Sequence, residues 1–487
     1  MKISRTSLWL VITILCLIGA VALLGLSAKD AGKKTLTFWA MGREGDAVRL
    51  LIPAFEREHP GIRVDVQTLP WSGAHQKLLT AFAGGSTPDL CQLGNTWIPE
   101  FAEVKALLPL TSRVETSKVV NPNEYFPGNW NTNRIGKTVY GVPWYVDTRL
   151  LFYRRDLLAR AGFTRPPETW AQWAQQLAAV KKMVGPGRYS VLLPLNEFEP
   201  LVALGLQQSE PLLRDGDRYG NFESPGFKRA LRFYADIFRN RWAPKVTDAE
   251  ISNEVSEFAG GYFTFFVSGP WMLQELETHM PKALQNAWTT APLPGPDGPG
   301  ASIAGGASLV IFRASRHKRA AWQLIEYLSR PDVQRRFYRM TGDLPPRRRA
   351  AGAGLARPGS ATAFGGGRRA AGAGLAKPGS AAAFGGGGVF ASPHVAAFRE
   401  QLELARPTPK IPEWEQIASQ IGVVGERLAH GELNVDQAAK ILDRRADAIL
   451  AKRRWVLHQR QAADAPLRFG AFGEGLRPPA ESATKAA

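Results

Sequence analysis

Cysteine is nearly absent from this chain. Its 487 residues include two, and Cys16 lies inside an apolar N-terminal run, which leaves Cys91 alone in the remainder. A single thiol can form neither an intrachain disulfide nor a Cys-based zinc site. Histidine is also sparse, at 7 residues, with no HExxH pattern and no HxE paired with CxxC. No transition-metal centre and no cofactor are therefore expected. Acidic residues are outnumbered: 43 Asp and Glu face 61 Lys and Arg, for a net charge of +18. Such an excess would suit a polyanion, but its distribution argues otherwise. Residues 1–34, 348–387 and 451–487 carry +4, +6 and +4 of it, and the second of these segments holds no acid at all. The body between them is almost balanced, so no nucleic-acid partner is expected.

Lys2 and Arg5 precede the apolar run from Leu8 to Leu26. A basic start followed by an apolar stretch marks export. The run is long enough to cross a bilayer, so cleavage near Ser27 or Ala28 and retention as an anchor are both open. Leu15 before Cys16 is not the small residue a lipid-modification site needs. At 45% hydrophobic and 21% charged residues, the remainder has an ordinary globular composition, and its length calls for two or more lobes.

From Thr35 the pattern alternates strand and helix. Leu36 and Phe38 alternate with threonines, and a polar loop, Met41 to Gly45, follows. Val48, Leu51, Ile52 and Phe55 recur at helical spacing up to Pro60-Gly61. Ile62, Val64 and Val66 form a second strand; Leu78, Leu79 and Phe82 share a helix face; and Leu90 to Leu93 is a third strand ending at Gly94-Asn95. This rhythm predicts an open α/β sheet, in which ligands lie beyond the carboxyl ends of the strands. The segments Met41–Glu44 and Gly94–Trp97 are thus on the expected binding side. Thr169 with Gln172 signals a capping box. Chain crossings between two lobes are expected around Gly141–Asp147 and between Pro292 and Ile303. Gly260 to Trp271 reads as a buried apolar strand that ends in the tight turn Gly269-Pro270-Trp271, which puts an indole at a strand end, free either to meet a ligand or to pack in a core.

Residues 348–387 are a tandem duplication: RRAAGAGLARPGSATAFGGG is followed by RRAAGAGLAKPGSAAAFGGG. Two Gly/Ala-rich units are too few for a solenoid and read as a flexible surface insertion. Helices are expected around Val395–Ala405, Trp414–Leu428 and from Val435 towards Lys452, before a polar, disordered tail from residue 456 to residue 487.

Several segments together resemble one family. They are Phe38-Trp39-Ala40-Met41-Gly42 with Glu44, Thr87-Pro88-Asp89-Leu90 through Gly94-Asn95-Thr96-Trp97, Val142-Pro143-Trp144 to Asp147 and Tyr153, Gly269-Pro270-Trp271, Ala304-Gly305-Gly306, and Leu344-Pro345-Pro346-Arg347. The chain resembles the extracytoplasmic solute-binding proteins of ABC sugar importers, of the maltose/trehalose-binding type. The resemblance covers roughly residues 35–347 and 389–450. It implies a type II, two-lobed α/β periplasmic-binding-protein fold of the Venus-flytrap kind, hinged between lobes. The expected division is 1–28 as signal peptide or anchor, 35–144 with 303–340 as one lobe, and 145–302 with 341–455 as the other, with 348–387 inserted.

The resemblance also implies a binding role without catalysis. The expected ligand is a di- or oligosaccharide, with a maltose- or trehalose-like α-glucoside as the leading candidate, delivered by a periplasmic or otherwise extracytoplasmic monomer to membrane permease subunits. A pyranose offers an apolar C–H face for aromatic rings and a rim of hydroxyls for carboxylates, amides and Arg. Trp271 corresponds to the family's stacking aromatic, Glu44 and Asp147 to hydroxyl-binding carboxylates, Asn95 to a polar loop residue, and Arg347 to a cationic hydroxyl donor. Gly305 and Gly306 stand where backbone approaches the ligand. Met41 and Gly42 lie on the same loop as Glu44; Trp71, Tyr145, Asn196 and Glu197 complete the candidate set. Trp97 reads as packing its own helix start. The rival reading is an exported glycoside hydrolase using Glu44 and Asp147 as its carboxyl pair.

Overall fold

The computed structural model describes residues 34–251, 253–351 and 393–464. The export or anchor segment, most of the duplication and the tail beyond residue 464 lie outside these residues. No helix among the described residues is long and apolar enough to cross a membrane.

The first sheet is built from β1 (Lys34–Met41), β2 (Ile62–Leu69), β3 (Leu90–Gly94), β4 (Val142–Asp147) and, much later in the chain, β9 (Gly305–Ile311). Its order is β2-β1-β3-β9-β4. β1 pairs in parallel with β2 and β3, while β9 runs antiparallel to β3 and β4. Helices α1 (Gly42–Arg49), α2 (Ile52–Glu58) and α3 (Trp71–Ala83) make the early crossovers. β3 is buried along its whole length, Cys91 included. The core on one face centres on Trp144, which stacks on Phe337 at 4.5 Å and lies 5.9 Å from Phe38.

The second sheet holds β5 (Leu150–Arg154), β6 (Tyr189–Leu192), β7 (Phe263–Ser268) and β8 (Trp288–Ala291), in the order β8-β5-β7-β6. The apolar run that forms β7 is buried at every position. Helix α4 (Trp170–Val184) starts with the expected capping box, Gln172 N–H donating to Thr169 Oγ1 at 3.2 Å. The other long helices around this sheet are α5 (Glu199–Leu206), α6 (Pro225–Arg239) and α7 (Trp271–His279). Helices α8 (Lys318–Leu328) and α9 (Pro331–Thr341) return to the first sheet's core. Helix α10 (Pro393–Leu404) covers Phe152 and Trp288 of the second, while α11 (Trp414–His430) and α12 (Val435–Ile449) pack with Leu201 and Tyr234.

Four expectations need correction. The segment from Gly42 to Gly45 is no loop: Gly42, at φ +47°, turns the chain directly into α1, with Glu44 in its first turn, where an anion suits the helix dipole. The lobe boundary expected at residue 145 falls inside β4, because Val142 to Val146 are all buried and pair with β9. The chain changes sheets at Thr148-Arg149 and again over residues 292–304. The duplicated segment is not free from its first residue: Ala350 and Ala351 are buried, and Arg348 N–H donates to the Glu124 carbonyl at 2.8 Å. The tail does not begin at residue 456, because helix α13 (Ala451–Asp464) carries on past it. Arg453 and Arg454 dock the start of that helix on the carbonyls of Asp217 and Arg218, at 3.1 and 3.0 Å.

Candidate ligand-binding site

A cavity of about 650 Å³ opens where the ends of strands from both sheets meet. From the first sheet it receives Arg43 and Glu44 after β1, Gly94 to Trp97 at the end of β3, Tyr145 and Asp147 from β4, and Gly305-Gly306 at the start of antiparallel β9. From the second it receives Trp271 and Glu275 beyond β7, and Phe198 and Glu199 at the start of α5. Asp343, Thr408, Trp414 and Glu415 close it from later in the chain.

Trp271 owes its position to the turn before it. A Cβ on Gly269 would run into the benzo edge of the indole, so only glycine lets the ring fold back over the turn. The ring is partly buried against the second sheet's core and also lines the cavity, which joins the two roles open from sequence. The guanidinium of Arg149 lies over it, 4.6 Å from the ring centre. On the opposite side Trp71 is 38% exposed and meets Trp97 edge-on at 5.8 Å. Gly42 makes room for Trp71, since a Cβ there would sit 3.0 Å from its ring. Trp97, read from sequence as helix packing, is thus part of the lining.

Six carboxyls and two guanidiniums line the cavity. Burial pushes the Asp147 carboxyl up to about 6; Arg149 pulls it down, and Glu199 and Glu44 push it further up. Burial also raises Glu44, against its own backbone N–H, Trp71 and Arg43. Asp343 is held well above the usual carboxylate range by burial and then by Glu44. One oxygen each of Asp147 and Asp343 is buried without a hydrogen-bond partner. Hydroxyl-rich ligands are suited to such acceptors. Tyr145 Oη accepts from Gln92 Nε2 at 3.1 Å, and Gln92 Oε1 accepts from Met41 N–H at 2.7 Å. Asn95 Nδ2 donates to the Ala304 carbonyl at 2.7 Å, tying the end of β3 to the second crossing. Gly306, at φ +117°, has no space for a Cβ against the Tyr145 carbonyl. The two glycines therefore serve the close approach of β4 to β9 as well as lining the cavity.

Of the residues proposed from sequence, Glu44, Trp71, Asn95, Tyr145, Asp147, Trp271, Gly305 and Gly306 converge here. Five do not line the cavity. The Met41 side chain is fully buried in the core, and Gly42 acts through the space it leaves. Asn196 exchanges hydrogen bonds with Asp248, at 2.9 and 3.3 Å. Glu197 is among the acids that act on Arg149, and burial pushes its own carboxyl up to about 7. Arg347 is no free hydroxyl donor: its guanidinium is buried, donates from Nη1 to the Ser329 carbonyl at 2.6 Å, and is paired with Glu124. Sequence reasoning missed Arg43, Arg149, Glu199, Glu275, Asp343, Trp414 and Glu415. Arg43 and Arg149 were within reach of the strand-end rule, because one adjoins Glu44 and the other follows Asp147 by two residues.

Residues 41–335 match the sequence profile described as bacterial extracellular solute-binding protein. The solved structure of the sugar-binding protein MalE from the phytopathogen Xanthomonas citri is 48% identical, with a TM-score of 0.77, and the match covers 88% of this chain and 100% of that one. A putative binding protein of Brucella abortus is 24% identical over 449 residues, 90% of this chain and 98% of its own length. The diacetylchitobiose binding protein DasA of Streptomyces coelicolor is 25% identical over 326 residues, 63% of this chain and 74% of its own. These relatives are binding proteins, not enzymes, and the hydrolase reading finds no support among them. The two-sheet architecture, the cavity at the strand ends and the match over residues 41–335 lead to one conclusion: the chain belongs to the bacterial extracellular solute-binding protein family.

Proposed function

We propose that this chain is the capture component of an ABC sugar importer, binding a di- or oligosaccharide and presenting it to membrane permease subunits. The observation that carries this is the composition of the cavity. Indoles and carboxyls from both sheets converge on one space of about 650 Å³, within the range of about 300–1,000 Å³ common for small-molecule sites. The rings supply faces for pyranose C–H groups, and the carboxyls accept from hydroxyls. Glu44, Asn95, Asp147 and Trp271 are the residues we assign to contact with the sugar. A ligand held by both sides favours the state in which the sides are close, since only that state offers it every contact.

The sugar we favour is a maltose- or trehalose-like α-glucoside, and the protein works as a monomer outside the cytoplasm. The basic, apolar N-terminus supports export, with cleavage or anchoring as its two outcomes. A thermal-shift screen against mono- and disaccharides tests the proposal, because a ligand that binds only the folded state raises its melting temperature. At a ligand concentration of about one hundred times Kd the stabilisation is about 2.7 kcal/mol. No shift with any mono- or disaccharide, nor with longer oligosaccharides added to the screen, would overturn the sugar reading.

A further inference from the structure

Arg347 was the expected cation of the site, and its guanidinium is occupied elsewhere. Two guanidiniums do line the cavity. Arg43 donates from both terminal nitrogens, to Glu275 and to the Thr341 carbonyl. Arg149 is different. Its side chain is only 11% exposed, pairs with Glu199 at 3.3 Å through Nη2, and lies over the Trp271 ring at 4.6 Å. Its backbone is fixed as well: the N–H donates to Ser302 Oγ at 3.0 Å. Arg149 belongs to the first passage between the sheets and Ser302 to the second. One residue therefore touches both connections and the indole.

The geometry points to Arg149 as the positioning residue of the sugar-stacking platform: its guanidinium backs one face of Trp271, sets the tilt of the ring, and ties that tilt to the first two connections between the sheets. The inference rests on the sugar reading of the cavity. Its physical basis is the pairing of a planar cation with the ring's electron-rich face, which is strong where water is excluded. The benzo edge of the indole rests against Gly269, where a Cβ has no room. With one face covered by Arg149 and that edge held by the turn, the part of the ring that lines the cavity is what remains for a single pyranose. The pair with Glu199 and the fixed backbone together hold the guanidinium in place over the ring, since neither the head nor the start of the side chain is free to drift. A lysine would keep the charge but lose the flat surface.

The test is a double-mutant cycle on full-length protein, with maltose and trehalose as titrants in calorimetry. R149K and R149M should each weaken the sugar that the wild type binds by about tenfold. In a W271L background neither should weaken it further by more than about twofold, because a residue that acts through the ring has nothing left to position. R149K keeps a cation beside Glu199 and guards against a loss of folding in R149M. Wild-type affinity in R149K would overturn the inference, since charge alone would then suffice. Losses that add to those of W271L would overturn it too, placing the action of Arg149 on the sugar itself or on the fold. A wild type that binds neither these sugars nor any other in the thermal-shift panel overturns the sugar reading and this inference with it; a wild type that binds, with R149K unchanged, overturns this inference alone.

Discussion

Arg43 Nη1 donates to Glu275 Oε1 at 2.9 Å, joining α1, which follows a strand of the first sheet, to α7, which follows a strand of the second. The arginine is steadied from its own side by the Thr341 carbonyl, at 2.6 Å from Nη2. The two side chains are 39% and 38% exposed. An ion pair so open to water contributes about 0.2–1 kcal/mol and is screened by salt. R43M and E275Q should therefore weaken sugar binding by no more than about fivefold, and the difference from wild type should shrink at high salt. Calorimetry at two ionic strengths checks this; a penalty that is large and indifferent to salt would mean that Arg43 or Glu275 holds the sugar directly.

Gly269 gives a sharper expectation. Its missing side chain is what lets the Trp271 ring fold back. G269A should displace the indole, cost about 1–3 kcal/mol of stability, as forcing a methyl into a packed site does, and lower sugar affinity. Near-ultraviolet circular dichroism should register the moved ring while the far-ultraviolet spectrum stays native. Unchanged affinity would show that the ring position seen here is unimportant for binding.

Asp147 in the cavity, together with Glu197 and Glu254 outside its lining, predicts an unusual pH response. Burial pushes Asp147 up to about 6 and Glu197 and Glu254 up to about 7. In the unfolded chain such groups titrate near 4. Between those values the folded state keeps protons that the unfolded state has lost, so the contribution of these groups to stability is complete below about pH 4 and is lost as pH rises towards 7. Asp89 acts in the opposite direction: burial alone would raise it, but hydrogen bonds from Ser315, the Thr37 backbone and His317 outweigh that and lower it. Its contribution is present above about pH 4 and disappears only in stronger acid. Ligand-free protein should thus melt higher at pH 5 than at pH 8, and D147N should reduce the difference. A melting temperature that rises from pH 5 to pH 8 would contradict the burial of these carboxyls.

Arg347 should behave as a structural residue. R347A leaves the largely buried Glu124 carboxylate, whose side chain is 15% exposed, with only Arg349 at 3.9 Å as a charged partner, and removing the main partner of a buried pair costs up to about 3–5 kcal/mol. Urea unfolding should show the loss, while the folded fraction should bind sugar with wild-type affinity. A stable variant that cannot bind would return Arg347 to the site.

The parts of this molecule legible in its sequence are those set by local pattern. β1, β2 and β3 were readable from apolar spacing and from Pro60-Gly61 and Gly94 as stops, and α4 from Thr169 and Gln172. Glu44, Asp147 and Trp271 were reachable because they stand at strand ends, where α/β sheets gather ligand contacts. What was not legible depends on partners distant in sequence. Nothing local distinguishes Arg347, which meets Glu124, from Arg149, which meets Trp271. Asp343, Trp414 and Glu415 reach the cavity only through the return of late segments to earlier sheets. The boundary placed at Tyr145 erred because β4 is apolar on both faces, and a doubly buried strand carries no alternation to mark which sheet it joins.

Cys91 is the second residue of β3, fully buried, its Sγ donating to the Gln92 carbonyl at 2.8 Å, with burial pushing the thiol up. It is the only cysteine from Lys34 onward. A maleimide dye offered to that portion of the chain should leave it untouched, because reaction needs an accessible thiolate. Any cysteine introduced on the surface would then be the one labelled position. Placed beside Arg43 or Glu275, a fluorophore there would report on the approach of the two sides as sugar is added, which makes the protein a ready scaffold for an optical sensor of its own ligand.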